Sequence, residues 1–111
     1  MDSYKTHITP KAQELLNRYI DYIQYTLSDE QGADAVLLDA LETIDILEMV
    51  AGSMTFCESE ELRNLGYHKI LFQRHDYVMI YRIIGDIASI DAIYHQMQDY
   101  EIIFMKELGL D

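Results

Sequence analysis

Tyr77-Val-Met-Ile-Tyr-Arg-Ile-Ile-Gly-Asp-Ile-Ala-Ser-Ile-Asp-Ala-Ile-Tyr-His95 decides the fold of this chain. Two runs rich in β-branched and aromatic residues flank Gly85-Asp86, a two-residue hairpin turn with glycine first. Taking that pair as the loop sets Ile84 against Ile87, Arg82 against Ser89, Ile80 against Asp91 and Val78 against Ile93. The other face pairs Ile83 with Ala88, Tyr81 with Ile90, Met79 with Ala92 and Tyr77 with Tyr94. It carries no charge and is the face expected to lie under helices. Upstream, Tyr67 to Gln73 supplies a third strand. If His75-Asp76 is its turn, Phe72 meets Met79, Ile70 meets Tyr81, Gln73 meets Val78 and Lys69 meets Arg82. Like charges directly opposite one another destabilise a sheet, so a Lys69–Arg82 pair on an open face predicts a bound phosphate or carboxylate.

Outward from this meander the pattern turns helical. Tyr4 to Ile8 alternates as a short first strand, and Thr9-Pro10 reads as an N-cap with proline at the first helical position. Ala12, Leu15, Leu16, Tyr19, Ile20, Ile23 and Leu27 then recur at helical spacing. Residues 28–32, Ser-Asp-Glu-Gln-Gly, break the pattern. A second helix places Ala33, Leu37, Ala40, Leu41, Ile44, Leu47 and Ala51 on one stripe, with Asp34, Asp39, Glu42, Asp45 and Glu48 mostly off it, and ends at Gly52. So short a linker predicts an antiparallel helical hairpin. Residues 53–66 read as irregular, and residues 96–108 as a short C-terminal helix with Tyr100, Ile103, Phe104 and Leu108 on its apolar side. The fold class is α+β: an N-terminal strand, a helical hairpin packed on an antiparallel sheet, and the C-terminal meander.

The chain has 111 residues, half of them apolar, and one proline, which suits a single packed domain. No apolar run nears the ~18 residues that cross a bilayer, and the first residues lack the apolar segment of a secretory signal, so no membrane association and a cytoplasmic location are expected. One cysteine, Cys57, allows no internal disulfide and reads as a buried bystander. Eight Lys and Arg face twenty Asp and Glu, a net charge of −12. Nucleic-acid binders present basic faces to phosphates, so non-specific nucleic-acid binding is not expected. No metal-ligating pattern or cofactor motif is present, and none is expected.

The order of elements, with Ile8-Thr-Pro-Lys-Ala12, Leu62-Arg-Asn-Leu-Gly-Tyr67, Tyr77-Val-Met-Ile-Tyr-Arg-Ile83 followed by Gly85-Asp86, and Ile93-Tyr-His95 leading to Asp99-Tyr-Glu101, resembles the RelE/ParE superfamily of bacterial type II toxin–antitoxin toxins. The likeness spans nearly all of residues 1–111, read as one toxin domain. The long hairpin resembles the ParE branch, associated with plasmid stabilisation and growth inhibition. That branch implies a toxin that binds and inhibits DNA gyrase and is neutralised by a cognate antitoxin. The RelE branch implies instead a metal-independent endoribonuclease that cuts mRNA on the ribosome. A third alternative is a degenerate, non-toxic domain that still binds an antitoxin.

The nuclease branch would assign catalysis to Lys69 and Arg82 as phosphate-binding cations, His95 as general acid and Tyr100 as its aid. That branch commonly places an arginine directly after the aromatic that opens the third strand, where this chain has Val78. Simpler roles compete with the catalytic ones: an Arg82–Asp91 ion pair beside Ser89, a locally hydrogen-bonded His95, and Tyr100 as a helix anchor. Arg63, Gln73, Val78, Ile80, Asp91 and Ile93 are the candidate antitoxin- or target-binding residues. Of these, Val78, Ile80 and Ile93, with Leu71, are expected to stand exposed on the open face under an antitoxin segment.

Overall fold

A computed structural model describes residues 3–110. Strand β1 (Lys5–Ile8) leads into helix α1 (Pro10–Asp21), which continues as a π-helical turn, Tyr22–Thr26. Helix α2 (Glu30–Val50) runs into a 3-10 turn at Ala51–Ser53, and a short helix α3 (Glu60–Asn64) follows. The meander is β2 (Tyr67–Leu71), β3 (Tyr77–Ile84) and β4 (Ile87–His95), and α4 (Tyr100–Glu107) ends the fold. The sheet order is β1-β4-β3-β2, with β1 parallel to β4 and the other pairs antiparallel, so the sheet is mixed.

The caps form where the sequence places them. Thr9 Oγ1 accepts from the Ala12 amide at 3.2 Å ahead of Pro10, and Asp29 Oδ1 accepts from the Gly32 amide at 2.9 Å. Gly85 takes the turn with φ +64°, a left-handed conformation that a side chain would strain. Gly52 does something else: α2 has already ended at Val50, and a Cβ at position 52 would lie 2.4 Å from the Tyr4 hydroxyl.

Both hairpin registers depart from the simple reading. Across β3–β4 the pairing runs as expected from Ile84↔Ile87 to Tyr81↔Ile90, and then shifts so that Ile80 meets Ala92 and Tyr77 meets His95. Asp91 is the extra residue of a β-bulge, and every side chain beyond it changes face. Ile93 therefore joins the core under the helical hairpin, while Ala92 and Tyr94 turn to the other side. Across β2–β3 the observed pairs are Ile70↔Met79, Lys69↔Ile80 and Tyr67↔Arg82. Lys69 and Arg82 are not opposite one another, and the loop is wider than a two-residue turn.

The cause of that wider loop is Asp39. The helical periodicity sets this α2 residue off the apolar stripe, yet it is 1% exposed. Its carboxylate accepts from the amides of Gln73 at 3.1 Å, Arg74 at 3.0 Å and His75 at 2.9 Å, and its Oδ2 lies 2.7 Å from His75 Nδ1. Gathering three successive amides makes residues 73–76 a loop, closed by the Phe72 amide on the Tyr77 carbonyl at 2.9 Å. Turning Asp39 inward also rotates α2. Val36 and Thr43 enter the core beside Ala33, Ala40 and Leu47. Leu37 and Leu41, expected inside, are exposed.

The second side of the sheet is covered, not open. Helices α3 and α4 cap a smaller core of Leu62, Tyr67, Val78, Ile80, Ala92, Tyr94 and Phe104. Phe104 of α4 meets the Tyr67 ring edge-on at 4.9 Å between centroids. Val78, Ile80 and Ile93 are each fully buried, and only Leu71 of the expected apolar set is exposed. Residues 53–66 are correspondingly more ordered than their irregular sequence reads, with the Cys57 amide donating to Tyr67 O and the Lys69 amide to Thr55 O along the β2 edge.

Burial raises the pKa of the Asp39 carboxyl, but the hydrogen bonds from the His75 ring and from the Arg74, Gln73 and His75 amides outweigh it and hold the pKa below its ordinary value. A depressed carboxylate pKa stabilises the fold above the unfolded pKa, and that stability is lost as pH falls through the folded one. Asp39→Ala is expected to lower unfolding free energy by about 3 kcal/mol, because it strands several buried donors. Asp39→Asn should flatten the loss of stability below about pH 4 that the unsubstituted protein shows. Denaturant melts across pH, with hydrogen exchange at residues 73–75, measure both.

Candidate functional site

The four residues that the nuclease branch would use are divided by the sheet. Lys69, Arg82 and Tyr100 lie on the side that α4 covers. The bulge at Asp91 puts His95 on the other side, edge-on to the Tyr77 ring at 5.1 Å. His95 Nδ1 accepts from the Met97 amide at 3.1 Å and its own amide faces Gln98 Oε1 at 3.1 Å, so the histidine is bonded locally.

Each cation on the α4 side has its own carboxylate. Lys69 Nζ donates to the Tyr100 hydroxyl at 3.1 Å and lies 3.5 Å from Glu101 Oε2 and 3.8 Å from Glu58 Oε1. Burial alone would lower the Lys69 pKa, yet Tyr100, Glu101 and Glu58 together raise it above the ordinary lysine value. Glu101 also accepts from the amides of Glu58 at 2.9 Å and Ser59 at 2.7 Å, tying α4 to the segment ahead of α3. Arg82 Nε is 3.4 Å from Asp91 Oδ2, and its guanidinium lies 5.4 Å from the centroid of the Tyr67 ring. Asp91 is further held by the Tyr67 hydroxyl at 2.8 Å and the Ser89 hydroxyl at 2.9 Å. The Arg82–Asp91 pair beside Ser89 is thus present. Lys69 is thus ringed by acceptors, whereas Arg82 has the Asp91 charge beside it but its buried Nε makes no hydrogen bond.

The remaining candidates scatter. Arg63 donates to the Glu58 carbonyl, Gln73 sits in the loop that Asp39 gathers, and Asp91 belongs to the Arg82 cluster. Val78, Ile80 and Ile93 contribute to the interior and present no surface. The Cys57 thiol is buried, and burial with Glu101 nearby pushes its pKa up to about 12, far from a nucleophile's.

A concave surface that the linear reading passed over opens on the opposite side. Tyr19, Tyr22, Ile23 and Leu27 of the first helix, with Tyr77 and His95 at the end of the sheet and Arg18 at the rim, enclose a groove of ≈ 540 Å³. A neighbouring hollow of ≈ 440 Å³ shares Ile23, Leu27, Tyr77 and His95 and extends toward Asp29 and His75. Tyr22 and Leu27 stand about half exposed. The π-helical turn carries Tyr22 and Ile23 into the wall, and such turns are often found at functional sites. The sequence did hold a trace of this groove, in the tyrosines at 19 and 22.

A mixed four-stranded sheet clasped by a long helical hairpin, with no converging acid–base set among the described residues, defines a small α+β domain of the RelE/ParE type. Residues 7–100 match the family described as the ParE toxin of the type II toxin–antitoxin system, parDE. The chain belongs to that family. Among solved structures it is similar to one from the chromosomal ParDE toxin–antitoxin system of P. aeruginosa, with a TM-score of 0.69, 22% identity, and coverage of 84% of this chain and 96% of that one. No curated protein matches the sequence.

Glu101 is expected to matter for stability more than Arg82. Glu101→Gln should lower unfolding free energy by about 1–2 kcal/mol, since charged acceptors hold amides more firmly than neutral ones. Arg82→Ala should change it by less than about 1 kcal/mol. Chemical denaturation gives both values, and faster amide exchange at Glu58 and Ser59 would be specific to the Glu101 variant.

Proposed function

We propose that this ParE-family toxin arrests growth by binding a protein target such as DNA gyrase, and that a cognate antitoxin holds it inactive. The separation of Lys69, Arg82 and Tyr100 from His95 by the sheet carries this reading. An endoribonuclease of this kind needs cations and a proton donor around one phosphate. Here the cations are matched by Asp91, Glu101 and Glu58. The net charge of −12 also opposes docking on ribosomal RNA. The groove of Tyr19, Tyr22, Leu27 and Tyr77 is concave and apolar, which suits an antitoxin segment.

Induced expression with and without the adjacent open reading frame tests the proposal. Expected without the antitoxin are growth arrest, loss of plasmid supercoiling and intact mRNA. Arg82→Ala, remote from the groove, and His95→Ala, which lines it, should each leave toxicity in the absence of antitoxin within about twofold of the parent. Ribosome-dependent mRNA cleavage abolished by those substitutions would establish the nuclease reading instead, and an inert phenotype would establish a non-toxic antitoxin-binding domain.

A further inference from the structure

The outer face of α2 sets large apolar side chains among charges of one sign. Leu37, Leu38, Leu41 and Met49 are 40%, 56%, 52% and 74% exposed. Asp34, Asp45 and Glu48 are exposed beside them. Asp34, Leu38, Leu41 and Asp45 follow one another at four, three and four residues, so they stand in a single row along the helix. That row spans roughly 16 Å, about three turns.

Three features make this face costly for the isolated domain. The α2 sequence carries Glu30, Asp34, Asp39, Glu42, Asp45 and Glu48 and no Lys or Arg, so acidic neighbours repel without relief from their own helix. Asp39 and Glu42 are engaged by His75 and Arg74, but among the described residues Asp34, Asp45 and Glu48 have no ion-pair partner. Glu48 also lies in the last turn, where the helix dipole favours a cation and α2 supplies none. The leucines are not left over from a loose core, because Asp39 locks the rotation that turns them outward.

We propose that this face docks a basic amphipathic helix of another protein. Its leucine-sized side chains would cover Leu37, Leu38 and Leu41, and its Lys or Arg side chains would pair with Asp34, Asp45 and Glu48. Apolar anchors spaced along about three turns are how helices recognise helices, and the flanking charge selects the sign of the partner. A second copy of this chain is disfavoured, since it would press acidic rows together. The face lies on the opposite flank of α2 from Gly32 and Val36, which line the groove extension. The two surfaces are separate, and this inference stands apart from the toxin's target.

The test uses the full chain and two synthetic 18-residue helices. Both have leucine at core spacing, one with Lys and the other with Glu at the remaining positions. Fluorescence anisotropy should show binding of the Leu/Lys helix that weakens with added salt, and none of the Leu/Glu helix. Asp34→Lys with Asp45→Lys, and separately Leu38→Ser with Leu41→Ser, should each weaken binding about tenfold or more. The charge-matched control Glu61→Lys with Asp86→Lys should change it less than about threefold. All these positions are exposed, and unchanged circular dichroism and melting would confirm folding. Equal losses in control and face variants would overturn the inference. So would binding of the Leu/Glu helix, or sedimentation showing a dimer that the Leu38/Leu41 changes dissolve. Peptide binding is read whether or not the protein is toxic.

Discussion

The carboxylate of Asp39 is the constraint on which most of this structure depends. Buried at the middle of α2, it receives three consecutive amides and an imidazole nitrogen from the loop between β2 and β3. A charge so far from water survives only with that number of donors. Collecting them decides two things at a distance. It widens the loop, shifting β2 by two residues against β3, and it sets the rotation of α2 about its own axis. The first places Lys69 against Ile80 and Tyr67 against Arg82. The second buries Val36 and Thr43 and leaves three leucines facing solvent.

A second local device, the bulge at Asp91, divides the chemistry of the sheet. Beyond it Ile93 and His95 face the helical hairpin, and Ala92 and Tyr94 face α4. The same aspartate accepts from Tyr67 and Ser89 and sits beside Arg82. One extra residue thus removes the histidine from the cationic face and supplies a counter-charge to the arginine left there. Helix α4 completes the change by bringing Glu101 against Lys69 and closing the face over Val78 and Ile80.

Fold and activity separate cleanly in such a protein. The scaffold is that of the ParE family. What it presents to a partner is an aromatic groove between hairpin and sheet and an acidic, leucine-bearing helix face. Both are suited to protein surfaces rather than to a polyphosphate chain.

Local sequence determined the elements. Thr9-Pro10 and Asp29 start the helices, Gly85-Asp86 turns the last hairpin, and alternation along β3 names the residues that stack on either side of the sheet. These are effects of neighbouring residues on one another, so they can be read along the chain. The order of elements was enough to place the chain in its superfamily, and the Arg82–Asp91 pair was visible because it lies within one well-specified hairpin. Tertiary structure alone decided the β2 register, the face of His95 and the outward turn of Leu37 and Leu41. The β2 register and the outward leucines depend on a partner far away in sequence, Asp39 against the loop at 73–75. The face of His95 depends on the bulge at Asp91, which Tyr67 holds from another strand. Asp39 read as one more solvated acid on a helix, because periodicity records where apolar residues recur and not which polar one will find four donors.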